Sequence, residues 1–361
     1  MKVKLLSILL LFGSIVKSQP DSTTWNIKTS LKYDALCFID AVSDNEWYNK
    51  FYPREKLIWQ NRLGKDVVDT MNAIVDSNVV NFKFCYVFTF VEANSIDDII
   101  TFLKNEDLLK KTVSEKSLAI NDMRHIATMK DVDRILLVKD KLIFVLNKMK
   151  EKGWEEDWKF LSFRMQKDIA LKQKELKKYS PEILKKEVDK FIGIPPKEDS
   201  SSTVYYIYYA YPNGFKLPYN MMGSWSIEET DYFVLGHIHE LLHSFSIFKP
   251  DYIKLHDNLV NKSKKLFEQE DILLHQMYSS KDEFYIVAAE CYISVKLGLR
   301  TDQGAIEYLK STNGGSMKYS LLLYNYLKKH FSESKKSFGD FLKDIFFKKV
   351  TGKEVEDFLS N

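Results

Sequence analysis

Residues 236–245 read Gly-His-Ile-His-Glu-Leu-Leu-His-Ser-Phe, a stretch that holds three of the seven histidines in the chain. Within it, His239 and His243 are four positions apart, and Glu240 directly follows the first of them. On a helix, side chains at positions i and i+4 lie on one face, so both imidazoles can reach the same metal ion. Glu240 falls on the adjacent flank, where a carboxylate can take a proton from metal-bound water without being a ligand. We therefore predict His239 and His243 as metal ligands and Glu240 as a general base.

The residues around this motif predict a buried helix. Residues 226–229 match a capping box, and apolar side chains follow at helical spacing: Tyr232, Phe233, Leu235, Ile238, Leu242 and Phe245. A motif of this length also arises by chance, in which case the histidines lie on a helix that holds no metal. The uncharged or apolar surroundings favour the metal-binding interpretation.

The segment 239–243 resembles the metal-binding helix of the zincin metallopeptidases. In the metzincin branch a glycine and a histidine follow three and six residues after the second ligand, but Ser246 and Lys249 occupy those positions here. The resemblance is therefore to the gluzincin branch, and to its exported bacterial members. It implies a zinc cofactor, a peptide or protein substrate, and a third ligand supplied by a glutamate on a later helix.

Residues 281–297 predict that later helix and offer two glutamates. Glu283 and Glu290 are seven residues apart, so they lie on about the same face, and both could approach the metal but not together. We expect Glu290 to be the third ligand, because a carboxylate in the middle of an apolar helix needs a partner. Glu283 remains the alternative, since a ligand at the helix start with an acidic residue behind it also resembles the family pattern.

The resemblance extends, more loosely, over residues 204–361. The β-branched and aromatic run 204–211 predicts a strand, and its place before the metal helix resembles the edge strand on which zincins dock an extended peptide. Residues 317–327 resemble a helix that begins with a tyrosine whose hydroxyl stabilises an oxyanion. Tyr319 is the catalytic candidate at that position, and Tyr324 and Tyr326 are its rivals.

The N-terminus predicts export. A positively charged start is followed by an apolar run of twelve positions, 5–16, which is too short to span a bilayer. We interpret residues 1–18 as a cleaved signal peptide, which places the protein in the periplasm or outside the cell, with no membrane span left. The remainder carries 50 basic and 50 acidic residues, so it lacks the positive charge of a nucleic-acid-binding protein. Three cysteines allow at most one disulfide, and their apolar neighbours favour buried thiols.

The pattern of the remaining chain predicts an α+β, mostly helical fold. Residues 19–194 read as a helical N-terminal half, with helices over 131–150 and 160–178. The stretch 79–91 suits a strand as well as a helix. A turn-rich linker at 195–203 separates this half from a zincin-like catalytic half, 204–361, with a small sheet and an active-site helix.

Together these features predict an exported zinc-dependent peptidase that hydrolyses peptide bonds with a metal-activated water. The alternatives are an exported zinc-containing binding protein without catalysis, a helical interaction protein with an accidental motif, and a zinc hydrolase of non-peptide substrates. The last remains open because a metal site does not identify the bond that is cleaved.

Overall fold

The protein is mostly helical with one small sheet, as the sequence predicted. The computed structural model describes residues 25–44, 46, 50–77, 81–120, 125–195, 203–210, 214–219, 221–224, 230–246, 250–276 and 280–361. The predicted signal peptide (1–18), most of the predicted linker (195–203) and the predicted capping box (226–229) lie outside the described residues.

The helices of the N-terminal half begin directly after the first strand. They are α1 (Leu31–Val42), α2 (Pro53–Leu63), α3 (Lys65–Val75), α4 (Asn81–Thr89), α5 (Ile96–Lys104), α6 (Glu106–Ala119), α7 (His125–Leu137), α8 (Lys139–Glu151), α9 (Trp154–Leu176) and α10 (Pro181–Ile192).

The helices of the C-terminal half follow the remaining strands. They are α11 (Thr230–Ser246), α12 (Pro250–Val260), α13 (Lys264–Asp271), which continues as a π-helical turn (Ile272–Gln276), α14 (Glu283–Lys296), α15 (Asp302–Ser311), α16 (Lys318–Ser334), α17 (Phe338–Phe341), which continues as a second π-helical turn (Leu342–Phe346), α18 (Phe347–Lys349) and α19 (Gly352–Ser360).

The sheet contains four strands in the order β1-β2-β4-β3: β1 (Asn26–Thr29), β2 (Thr203–Tyr206), β3 (Phe215–Leu217) and β4 (Met221–Ser224). Strands β1, β2 and β4 are parallel, and β3 is antiparallel to β4. The predicted strand therefore forms at β2, but it is an interior strand, and its assignment as the cleft edge is wrong. The edge strand beside α11 is β3.

The strand β2 is also shorter than the predicted run 204–211, which turns into a 3₁₀ helix at Tyr208–Ala210. The physical reason is that side chains form hydrogen bonds with the backbone N–H and C=O groups there. The amide of Tyr209 donates to Asp34 Oδ1 (3.1 Å), and the hydroxyl of Tyr52 donates to the carbonyl of Tyr208 (2.7 Å). These bonds replace the inter-strand bonds that would have extended the strand.

Two hydrophobic cores flank this sheet, and the sequence break near residue 195 does not separate them. One core contains α1–α8 together with residues of the 207–217 segment. The other contains α11 and the C-terminal helices, and it also includes β1 and the buried faces of α9 and α10. The chain from residue 165 to 192 therefore packs with the C-terminal half, because its apolar faces meet α11.

The structure resolves two local predictions in the N-terminal half. In the run 79–91, for which strand and helix were both open, residues 81–89 form helix α4, and residues 84–88 are all buried, so the apolar pattern there shows no helical period. The run 131–150 is two helices, because the chain breaks at Val138, where φ is −110° and ψ is 11°.

The three cysteines are buried and unpaired, in agreement with the sequence interpretation. Cys37 and Cys85 face each other with their sulfurs 3.6 Å apart. Within the described part of the chain, no helix combines the length and the apolar character needed to cross a membrane.

Candidate metal centre

Helix α11 carries the histidine motif, and its apolar side chains anchor it on one side. Phe233, Val234, Ile238, Leu241 and Leu242 are buried in the C-terminal core. This burial fixes the rotation of the helix about its axis, so that the face with His239 and His243 is directed towards the start of α14. The two imidazoles and Glu283 keep 18–23% of their side-chain exposure, so they line an opening to solvent.

Three side chains converge at this point. His239 Nε2 and His243 Nε2 lie 3.1 Å apart. Glu283 places Oε2 3.3 Å from His239 Nε2 and Oε1 3.3 Å from His243 Nε2. Both imidazoles therefore direct the same nitrogen towards one carboxylate.

These distances suit a tetrahedral metal ion. Zinc binds imidazole nitrogen and carboxylate oxygen at about 2.0–2.2 Å, so two ligand atoms on one tetrahedral ion are about 3.3–3.5 Å apart. The measured separations of 3.1–3.3 Å lie within a few tenths of an ångström of that value. A group formed by His239, Glu240 and His243 could likewise hold a metal ion, since each offers a ligand atom within 4.8 Å of the others.

Two carboxylates approach the imidazole pair at different distances. The ligand atoms of Glu240 and the two histidines lie within 4.8 Å of one another, whereas the Glu283 carboxylate lies 3.3 Å from both Nε2 atoms. Glu240 is buried, and a methyl group on Gly214 would lie 3.5 Å from its Oε1. Glu240 therefore faces the backbone that enters the edge strand β3, beside the metal position.

The geometry places Glu283, the alternative named from the sequence, rather than Glu290 against the two Nε2 atoms. Glu290 Oε2 lies 3.2 Å from Nδ1 of His239, the ring nitrogen on the other side of the imidazole from the metal position. Its Oε1 lies 3.4 Å from Arg300 Nη2. A buried carboxylate needs polar partners, and Glu290 has two, His239 and Arg300, in place of the metal ion that the sequence suggested. A carboxylate at Nδ1 fixes the tautomer and the orientation of a ligating imidazole.

The electrostatics of the site agree with this arrangement. Burial alone would lower the pKa of His239, but the carboxylates of Glu283, Glu290 and Glu240 together outweigh burial and raise that pKa well above its usual value. Burial would likewise raise the pKa of Glu283, and the two imidazoles instead lower it below the usual range. The carboxylate is therefore ionised and attracts positive charge at the position where the ligand atoms meet.

Tyr319, the predicted oxyanion-stabilising residue, has no contact that supports this role. Its ring is fully buried, and its hydroxyl lies 3.4 Å from the hydroxyl of Tyr285. The rivals are also engaged elsewhere: the hydroxyl of Tyr324 donates to Asp302 (2.6 Å), and that of Tyr326 donates to Glu354 (2.8 Å). A tyrosine at a helix start is easily recognised in sequence, but the direction of its hydroxyl depends on how the helix packs.

His237, two positions before His239, packs in the core against Trp25 and not with the other two imidazoles. Its ring is buried, with 1% exposure, and lies edge-on to Trp25 at 4.8 Å between ring centroids. Burial lowers its pKa to about 3, so the imidazole is neutral. Sequence reasoning missed Arg300, for which the only available signal was that the buried Glu290 needs a cation.

No protein-family model, curated protein or solved structure matches the chain. The functional interpretation is therefore based on the residues and geometry of the metal centre itself.

Proposed function

We propose that this protein is a zinc-dependent peptidase. The observation that carries the proposal is the convergence of His239, His243 and Glu283, whose ligand atoms lie 3.1–3.3 Å apart beside a buried carboxylate that is not needed as a ligand. Three protein ligands leave one tetrahedral position open, which is typical of catalytic rather than structural zinc sites.

In this proposal His239 and His243 would hold zinc through Nε2, and Glu283 would hold it through its carboxylate. When bound, zinc supplies a Lewis acid that makes water acidic near neutral pH and polarises a carbonyl group. Glu290 keeps His239 oriented by accepting a hydrogen bond from Nδ1, and Arg300 compensates the charge of Glu290. Neither residue needs to touch the substrate.

Glu240 acts as the general base. It takes a proton from the attacking water and passes it to the leaving amine, which is the exchange expected of a carboxylate beside a catalytic zinc. Its burial against the backbone at Gly214 restricts its motion. A positioned carboxylate of this kind contributes about 10²- to 10⁴-fold to the rate.

The edge strand β3 supports the proposal, because it could bind an extended peptide substrate. In the described sheet β3 pairs with β4 on one side only, so its other edge can form main-chain hydrogen bonds with an extended peptide. Lys216 of β3 contacts Ser244 of α11, which keeps this strand against the metal helix. An extended peptide on β3 would therefore run alongside α11.

The test is Glu240→Gln, which preserves the size of the side chain and removes its basicity. We expect wild type and E240Q to hold the same amount of zinc, about one ion per chain, by elemental analysis. We expect hydrolysis of a peptide library to fall at least about 10²-fold in the variant. Full activity in E240Q would refute Glu240 as the base. Zinc without turnover in wild type would favour a binding protein, and no zinc at all would favour an accidental motif.

A further inference from the structure

A polar network centred on the buried side chains of His256 and Tyr285 lies beside the candidate metal centre, and the proposed mechanism does not use it. Its members are His256 and Asp257 on α12, Glu270 on α13, and Lys281 and Tyr285 at the start of α14. We refer to these five residues as the clamp.

His256 is the central member of the clamp. Its ring is 1% exposed, Nε2 lies 2.7 Å from Glu270 Oε2, and Nδ1 lies 2.7 Å from the Tyr285 hydroxyl. Because a carboxylate only accepts hydrogen bonds, Nε2 carries a hydrogen and donates it to Glu270. The hydrogen bond from His256 lowers the pKa of Glu270, so this acceptor is ionised. His256 therefore connects α13 to α14 through two short hydrogen bonds.

Lys281, which precedes α14, contacts both α12 and α13. Its ammonium lies 2.6 Å from Asp257 Oδ1 and 3.6 Å from Glu270 Oε1. Glu270 is thus shared by His256 and Lys281. Charged hydrogen bonds of this type are stronger than neutral ones, particularly when they are removed from water.

The clamp holds the chain on both sides of Glu283. Lys281 comes two residues before it, and Tyr285 comes two residues after it. Glu283 is the first residue of α14, and the capping position before it, Asp282, makes no side-chain capping bond. A helix start without such a cap is free to fray unless other contacts hold it. At this helix start, the clamp adds to the contacts made by the buried ring of Phe284 and by the hydrogen bond from Ser320 Oγ to the Phe284 carbonyl (2.8 Å).

A small cavity beside the clamp does not offer an alternative role as a substrate pocket. It is lined in part by Phe245, His256, Asp282 and Tyr285, and its volume is about 20 Å³. That volume is enough for one water molecule but not for a peptide side chain.

We propose that His256 and Glu270 are positioning residues for Glu283. By holding Lys281 and Tyr285, they fix the first turn of α14 so that one carboxylate meets both imidazoles of α11. The inference rests on the metal site of the proposed function, and it does not depend on which bond the protein cleaves.

The reason that position matters is the short range of metal coordination. A ligand atom must lie within about 0.2 Å of its ideal distance, so a fraying first turn would withdraw Glu283 from the ion. Loss of a residue that orients a ligand typically weakens metal binding by about 10- to 100-fold. Substitutions in the clamp should therefore weaken zinc binding, although none of its residues is proposed as a zinc ligand.

The experiment compares zinc affinity in His256→Phe, Tyr285→Phe and Tyr324→Phe. H256F keeps a ring in the core but removes both hydrogen bonds, and Y285F removes only one hydroxyl. Y324F is the matched control, because it removes a buried tyrosine's hydrogen bond to Asp302, away from the clamp. Zinc dissociation constants are measured by competition with a chromophoric chelator, and folding is checked by circular dichroism and urea unfolding.

We expect zinc affinity to fall about 10- to 100-fold in H256F, several-fold in Y285F, and not at all in Y324F, even where the free energies of unfolding are similar. The double variant H256F/Y285F should bind zinc no more weakly than H256F alone, because both substitutions break the same bond. Should H256F fail to fold, Y285F and Y324F still provide the comparison.

Two results separate the possible failures. If wild type binds zinc and the folded clamp variants bind it equally well, the positioning role is overturned and the metal centre stands. If wild type itself binds no zinc, the proposed function fails and the positioning role fails with it.

Discussion

The identity of the third ligand can be tested by replacing each of two glutamates with glutamine. In Glu283→Gln a neutral amide oxygen replaces the carboxylate that lies 3.3 Å from both Nε2 atoms. In Glu290→Gln the amide oxygen can still accept a hydrogen bond from His239 Nδ1. The two substitutions are chemically identical, so any difference between them reports the position of the side chain.

The expected magnitudes follow from these contacts. Structural zinc sites with four protein ligands have binding free energies of about 10–16 kcal/mol, so an average ligand accounts for about 2.5–4 kcal/mol. Loss of Glu283 as a ligand should therefore weaken zinc binding by about 70- to 900-fold. Glu290→Gln keeps the acceptor and should weaken binding by less than about 10-fold, the lower end of the effect of orienting residues.

The assay is the zinc dissociation constant at fixed pH, together with the zinc content of the purified protein. Circular dichroism of each variant controls for folding. Loss of zinc from E290Q but not from E283Q would refute Glu283 as the third ligand, because Glu290 would then hold the ion.

Two further predictions concern the fold around the centre. Burial raises the pKa of Asp34 to about 7 despite hydrogen bonds from Trp158 and Tyr209, so the folded state favours its protonated form. The stability that this group contributes is fully present below about pH 4 and is lost as the pH rises to 7. The amide of D34N can accept only one of the two bonds, so D34N should be less stable than wild type near pH 4, and the difference should shift in favour of D34N by up to about 4 kcal/mol above pH 7; a difference in thermal unfolding that does not vary with pH would contradict this. Gly223→Ala should cost about 1–3 kcal/mol in urea unfolding, because the added methyl group would lie 2.6 Å from the ring of Phe215. Gly214→Ala, whose methyl group would meet its nearest neighbours at 3.5 Å, is the control and should change stability less; equal losses in both would show that the close approach is not the cause.

The local part of the candidate site could be predicted from sequence, because it depends on helical spacing. His239 and His243 share a face on any helix that contains them, and Glu240 follows on the adjacent flank. The apolar positions 233, 238 and 242 indicated which side of that helix would be buried. The mostly helical architecture was predictable for the same reason, because apolar residues that repeat at helical spacing indicate helices.

The choice between Glu283 and Glu290 could not be made in this way. Both lie on about the same face of α14, and periodicity treats them alike. The distinction depends on where the start of α14 docks against α11 and on Arg300, which takes up the charge of Glu290. The mistaken edge strand has a similar origin: β2 looks like any aromatic strand, and only its pairing with β1 and β4 makes it interior.

The amino-acid sequence by itself determined that two imidazoles and a carboxylate would share one helical turn, because neighbouring positions on a helix are related by its fixed geometry. The tertiary structure decided which distant carboxylate approaches them, which strand forms the open edge, and that Tyr319 is enclosed in the core. Those outcomes depend on contacts between segments far apart in the chain, where the position of each side chain is set by the packing of several helices at once.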